Sequence, residues 1–418
     1  MNGFTYAFLL ALGAGLLLQN WLLVRQRRHV ARHRDAVPEA FAVRIPLEAH
    51  RKAADYTLSK VALARVSLLY NAVLLLAWTL GGGLALVDAL WARSGLPPVW
   101  EGVALMVSVF LLMSLLDLPL GLWATFRLET RFGFNRTTPV RYALDVLLQG
   151  VLLLSLGIPL GWGILAIMRG AGDLWWIAAW ALWMAFTLLV TWGYPTLIAP
   201  LFNRFKPLPD EGLRRRIESL LERCGFRSGG IFVMDGSQRS THGNAYFTGL
   251  GAQKRIVFFD TLLDSLEPDE VEAVLAHELG HFKYRHLLKR LLTAAALSLA
   301  SFALLGWLSG QDWFYTGLGV QRQTDALALL LFLTVSPVFL QFFQPVGVRL
   351  SRRHEFQADD FAARQTRADW LVSALIKLYR ENASTLTPDP LYSAFHDSHP
   401  PAPVRVANLS SRSWGETR

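Results

Sequence analysis

Val271-Glu272-Ala273-Val274-Leu275-Ala276-His277-Glu278-Leu279-Gly280-His281-Phe282 sets two imidazoles four residues apart with an acid between them. At 3.6 residues per turn, His277 and His281 leave a helix on one face and can share a metal ion. Zinc is the natural occupant, and Glu278, one step round, can take a proton from water held there. The surrounding residues favour a helix. Pro268 suits its first turn, Asp269, Glu270 and Glu272 complement its positive end, and Val271, Val274, Leu275, Leu279 and Phe282 make an apolar side. The chemistry this predicts is metal-assisted peptide hydrolysis.

The rest of the chain is unlike an ordinary soluble enzyme. Of its 418 residues, 53% are hydrophobic and only 17% charged, with 15 Trp and 25 Phe. This is the composition of a polytopic membrane protein. The single cysteine, Cys224, excludes an internal disulfide and a cysteine-built metal site, so the ligands must be His and carboxylate. The net charge of +9 is dispersed between apolar spans, which reads as membrane topology and not as a nucleic-acid surface.

Seven runs approach the ~20 residues a bilayer requires. They lie near Phe4–Val24, Val66–Trp91, Val99–Phe126, Ala143–Met168, Trp175–Phe202, Leu287–Leu308 and Ala326–Val348. The loops between them alternate in basic charge. Arg25, Arg27, Arg28, Arg32, Arg34, Arg51, Lys52 and Lys60 follow the first span, then Arg93 alone, then Arg127, Arg131, Arg136 and Arg141, then Arg169 alone, and finally Arg322 alone between the last two. The positive-inside rule therefore puts the N-terminus outside and the metal helix in the cytoplasm. Asn71, Asp88, Asp117, Asp145 and Gln149, within or beside spans, are expected to face protein or water.

The chain divides into a membrane part, residues 1–202, and a metalloprotease part, residues 203–418, interrupted by the last two spans near 287–308 and 326–348. After the separator Pro207-Leu208-Pro209, an amphipathic helix over Glu211–Arg223 leads to strand-like runs at Ile231–Met234 and Arg255–Phe259. Between them Asn244-Ala245-Tyr246-Phe247, with Gly243 before it and Gly249-Leu250-Gly251 after it, reads as a strand bounded by turns. We expect it at a sheet edge beside the metal, able to pair with an extended peptide. Two histidines leave a catalytic zinc short of one protein ligand. His286, five residues on, is expected on another face and at the membrane interface. The last two spans form a hairpin, so the helical run Arg352-Arg353-His354-Glu355-Phe356-Gln357-Ala358-Asp359 returns to the side of the metal helix. Among several candidates, Glu355 can then complete the site, with Asp359 one turn on orienting a ligand histidine.

With these pieces in order, the chain resembles the type I CAAX prenyl endopeptidase family of seven-span membrane zinc proteases. The likeness rests on H-E-L-G-H, E-F-Q-A-D, Leu128-Glu129 with Gly133-Phe134-Asn135, Ile198-Ala199-Pro200-Leu201-Phe202-Asn203, Asn244-Ala245-Tyr246-Phe247, Phe259-Asp260-Thr261-Leu262-Leu263, and His399-Pro400-Pro401 with Arg405. It implies one zinc on His277, His281 and Glu355, Glu278 as base, and substrate pairing along Asn244, Ala245 and Tyr246. It also implies that His399 and Arg405 contact the substrate or the transition state. The implied fold is seven transmembrane helices around an intramembrane chamber, with a small α+β zinc-protease domain on its cytoplasmic side. The implied partners are the bilayer and a peptide or protein substrate, prenylated or membrane-anchored.

Other readings make different demands. A protease that cuts within the bilayer would carry H-E-x-x-H inside an apolar span, whereas here Asp269, Glu270, Lys283 and Arg285 flank it. A four-span protease would lack the long N-terminal half. A scaffold or transporter with structural zinc would not need Glu278. The Arg-heavy, Lys-poor composition has a bacterial style and suggests a bacterial inner membrane. There, quality control of membrane proteins without prenyl specificity is the alternative to CAAX processing.

Overall fold

The structure, a computed structural model, describes residues 1–248 and 253–413. The proposed turn at Gly249-Leu250-Gly251 lies outside them. Among the described residues seven helical segments are long and apolar enough to cross a membrane: Gly3–Arg32, Leu47–Trp78, Pro98–Phe132, Pro139–Gly170, Gly172–Phe202, His286–Leu308 and Asp325–Gln365. Packed together, the spans bury an apolar cluster that includes Phe8, Leu84, Leu105, Leu165, Phe314 and Leu330. An open apolar cavity of about 480 Å³ lies between them, lined by residues such as Val103, Phe110, Gly157, Trp183, Phe302 and Phe332.

Two spans depart from expectation. The second begins at Leu47 and ends at Trp78; residues 79–82 turn the chain, and Gly83–Trp91 forms a separate short helix. Gly81-Gly82-Gly83 explains the break. Gly82 takes φ +81°, and a Cβ on Gly81 would lie 2.8 Å from the Ala77 Cα. The seventh span does not stop near Val348: after a single tight turn at Gln341–Phe343 it runs on as helix Gln344–Gln365, which carries the E-F-Q-A-D motif. At the far end of this hairpin Arg322, alone in its loop, pairs with Asp88 at 3.0 Å and Glu101 at 2.9 Å.

The non-membrane part is built on a mixed four-stranded sheet of order β1-β2-β4-β3: β1 Phe205–Pro207, β2 Arg227–Met234, β3 Ala245–Thr248 and β4 Gln253–Phe259. The Pro-rich separator is thus partly strand, since Phe205, Lys206 and Pro207 pair antiparallel with Met234, Val233 and Phe232. Proline is tolerated there because β1 is an edge. At the other edge, β3 pairs among the described residues only with β4, antiparallel, Ala245 opposite Phe258 and Phe247 opposite Ile256. Helix Glu211–Cys224, capped by Asp210 and ended by Gly225 at φ +81°, packs Ile217, Leu220 and Leu221 into a core shared with Ile256, Phe258, Leu275, Leu279 and Leu371.

Candidate metal centre and cleft

The metal helix spans Pro268–Lys283, with Pro268 at its first turn and a reciprocal cap between Glu267 and Glu270. Its buried acids are matched. Glu272 receives Arg216 and Arg223, each at 2.8 Å, and Glu270 receives Lys377 and Ser373, each at 2.7 Å. Against it lies the Gln344–Gln365 helix, and the contact is close because of one residue: a Cβ on Gly280 would lie 2.9 Å from the Ala358 Cα. The glycine of H-E-L-G-H therefore lets the second helix approach until Glu355, one turn before Ala358, faces both histidines.

His277 Nε2 and His281 Nε2 are 3.3 Å apart, and the Glu355 carboxylate faces both, with Oε2 3.4 Å from His277 Nε2 and Oε1 3.4 Å from His281 Nε2. Donors at ~2.1 Å from a tetrahedral ion are separated by roughly 3.4 Å. The two imidazoles and the carboxylate are therefore close enough together to share one such ion. Both Glu355 oxygens are buried, and only Oε2 has a further close neighbour, His399 Nδ1, which leaves lone pairs for an ion. The donor set of two imidazoles and a carboxylate fits zinc.

Each histidine is oriented from behind. His277 Nδ1 donates to Asp359 Oδ1 at 2.8 Å, which leaves Nε2 as the free donor atom. Asp359, fully buried, also receives Arg405 through Nε at 2.9 Å and through Nη2, and Arg405 Nη2 lies 3.3 Å from His277 Nδ1. Arg405 is itself buried, behind the ligand and away from the open cleft. His281 Nδ1 lies 3.0 Å from His286 Nδ1, and His286 Nε2 lies 2.8 Å from Gln357 Oε1. Gln357 Oε1 can only accept, so His286 carries its proton on Nε2 and accepts at Nδ1 from His281, whose Nε2 is left for the metal.

His286, the first residue of the sixth span, is thus buried against His281 and not on the separate face expected for it. The reason is Arg285, at φ +55°, which ends the metal helix and folds the next one back. Sequence reasoning missed this role by extending the helix through Arg285.

The charges of the site are graded. Burial works against a charged His277, but hydrogen bonds to Asp359 and Glu355 outweigh it and raise the imidazole to about 9. Burial and the neighbouring His277 lower His281 to about 3. Burial, reinforced by the Glu355 charge, raises the Glu278 carboxyl above its ordinary value, which suits a base working near neutrality. Among the described residues Glu278 has no hydrogen-bond partner.

The cleft is completed by residues distant in sequence. His399 is exposed, with Nδ1 2.8 Å from Glu355 Oε2. Its turn is fastened by Arg352, which donates to Ser393 Oγ at 2.7 Å and the Asp397 carbonyl at 2.9 Å, and by Tyr379, whose hydroxyl accepts from the Ala402 N–H. Asn244 is exposed just before the free edge of β3, and Phe247 in that strand packs on Phe282 of the metal helix. Two cavities of about 580 and 600 Å³ share Lys60 and Ser384; His399 lines the first and Asn244 the second.

Known proteins resemble this chain in sequence and fold. The family model for the five N-terminal membrane helices of CAAX prenyl proteases matches residues 26–204, and that of peptidase family M48 matches residues 207–413. A CAAX prenyl protease 1 homolog of Arabidopsis thaliana is 37% identical over 346 residues, 81% of this chain and 80% of that protein. The chain belongs to peptidase family M48. This M48 peptidase is also 31% identical to the CAAX prenyl protease 1 homolog of Homo sapiens, over 94% of this chain and 93% of that protein. The crystal structure of S. mikatae Ste24p superposes with a TM-score of 0.91 at 29% identity, covering 98% of this chain and 99% of the other. The chain is therefore a multi-pass membrane metalloendopeptidase acting on peptide or protein substrates, with seven apolar helices and a small sheet in its peptidase part.

Proposed function

We propose that this M48 peptidase hydrolyses peptide bonds of membrane-associated, CAAX-type substrates with one Zn²⁺ per chain held by His277, His281 and Glu355. The carrying observation is the convergence of His277 Nε2, His281 Nε2 and the two Glu355 oxygens, at 3.3 to 3.4 Å, with Glu278 next to His277 in the chain. Zinc would supply Lewis-acid polarisation of water and of the scissile carbonyl. Glu278 takes the proton of the attacking water and passes it to the leaving amine. His399, exposed beside Glu355, donates to the developing oxyanion, and Arg405 supports the site through Asp359 and His277. An extended substrate pairs along Asn244, Ala245 and Tyr246, because a peptidase that accepts varied sequences must grip backbone.

In this reading residues 1–202 form the membrane domain and residues 203–418 the peptidase domain. The distribution of arginines supports a bacterial inner membrane with the metal site on the cytoplasmic side. The relatives, CAAX prenyl protease 1 homologs, support the CAAX class. Glu278→Gln should retain zinc by elemental analysis and lose hydrolysis of a peptide ending in a CAAX sequence. Full activity in that variant would end the mechanism. Equal cleavage of the prenylated and unprenylated peptide would favour the quality-control alternative over the CAAX assignment.

A further inference from the structure

The motif Leu128-Glu129 with Gly133-Phe134-Asn135 has no part in the metal chemistry, yet it lies where the membrane spans meet the peptidase sheet. Glu129 is the last residue of a π-helical turn, Ala124–Glu129, at the end of the third span, a kind of turn frequent at functional sites. Its Oε1 accepts from the Tyr56 hydroxyl of the second span at 2.6 Å, and its Oε2 lies 3.7 Å from His242 Nε2. The His242 ring stacks on Phe134 with centroids 4.6 Å apart, its Nδ1 lies 3.2 Å from Asn382 Oδ1, and its carbonyl accepts from Thr261 Oγ1 at 3.0 Å. A small buried cluster of Ala53, Tyr56, Leu128, Phe134 and Ala383 fills the joint beneath.

The backbones are tied as well. Asn135 and Ser240 form an antiparallel bridge, the Arg136 N–H donates to the Arg239 carbonyl at 3.1 Å, and the Thr241 N–H donates to the Phe134 carbonyl at 3.3 Å. Only Gly243 separates His242 from Asn244. That glycine is fixed too: its N–H donates to Asn382 Oδ1 at 3.2 Å, and a Cβ on it would lie 3.2 Å from the Leu262 Cα. There is no slack between this joint and the free edge of β3.

We propose that Glu129, Tyr56 and His242 are positioning residues through which the membrane spans set the height of the substrate-gripping strand over the metal. The proposal rests on the reading of β3 as the substrate edge. Such a strand offers an extended peptide its N–H and C=O groups wherever it sits, so loosening it leaves binding largely intact. It displaces the scissile carbonyl, and a misplacement of about 1 Å can cost ~100-fold in rate.

The test uses the full chain in detergent, one defined peptide, zinc analysis and separate measurement of kcat and KM. Glu129→Ala should lower kcat about tenfold or more with KM within about threefold and zinc content unchanged, and should add cuts at bonds flanking the main one. Loss of folded enzyme alone would leave the ratio of products unchanged. Tyr56→Phe removes one oxygen and should act in the same direction to a smaller extent. Glu129→Gln keeps an acceptor for Tyr56 and offers an N–H to His242 Nε2, and should recover most of the rate. A Glu129→Ala enzyme with parental kcat and a single cleavage site overturns the proposal, as does a rate loss that merely follows loss of zinc. Should Glu129→Ala fail to fold, Tyr56→Phe decides. Asn244→Ala serves as the control for the underlying reading: if it leaves peptide turnover unaltered, the substrate edge is wrongly placed, whatever Glu129 shows.

Discussion

Asp359→Asn isolates the contribution of a group that touches neither metal nor substrate. Asp359 is fully buried and accepts from His277 Nδ1 and from two nitrogens of Arg405. Asparagine keeps the shape but offers one oxygen, so it can serve His277 or Arg405 and turns an N–H₂ toward the other. Breaking a buried ion pair on one side costs about 3–5 kcal/mol. Loss of the partner that orients a ligand histidine typically costs 10- to 100-fold in metal affinity, or about 1.4–2.7 kcal/mol of that total. The remainder should appear as lower stability of the metal-free protein. Competition for zinc against a chromophoric chelator, with thermal unfolding of the apoprotein, measures both parts. Adding Arg405→Met to Asp359→Asn removes the stranded cation and should recover stability while zinc affinity stays low. Zinc affinity within twofold of the parent in Asp359→Asn, alongside a large loss of stability, would refute the argument: Asp359 would then only neutralise Arg405.

Three further outcomes follow from other parts of the molecule. Gly280→Ala should push the two ligand helices apart at Ala358, costing about 1–3 kcal/mol, and should weaken zinc binding more than a Leu279→Met control on the same helix. Burial pushes the Glu270 carboxyl up, but hydrogen bonds from Lys377, the Glu267 N–H and Ser373 outweigh it and hold it below its ordinary 4.5. Its contribution to stability is therefore complete above that value and lost as pH falls through the folded pKa. Lys377→Met should accordingly lower stability at pH 7 and move the acid-unfolding midpoint upward. In a Cys224→Ala background, cysteines replacing Ser94 or Gln321 should react with an impermeant maleimide from outside, and one replacing Arg215 only after permeabilisation. The reverse pattern would overturn the proposed orientation.

Much of this architecture was legible because it obeys short periods. The spacing of His277 and His281 needs one helix, and the return of Glu355 and Asp359 needs only a hairpin of two spans. Asn244 before an edge strand follows from turn residues around a short β run. What escaped was set by single backbone conformations or by distant contacts. Arg285 looks helical in sequence, yet its positive φ brings His286 back to His281. The three glycines at 81–83 stop a helix that hydropathy alone would continue to Trp91. The pairing of Tyr56, Glu129 and His242 spans nearly two hundred residues and has no periodic signature.

Glu355, the third residue of the metal group, stands on a helix continuous, but for one tight turn, with the last transmembrane span. This has a consequence for biogenesis. During synthesis the two histidines emerge before the final hairpin, and Glu355 reaches them only once that hairpin has been inserted and has returned. A chain arrested before that step holds two ligands on a soluble segment and lacks the third. The metal group is thus complete only in a chain whose last hairpin has been placed.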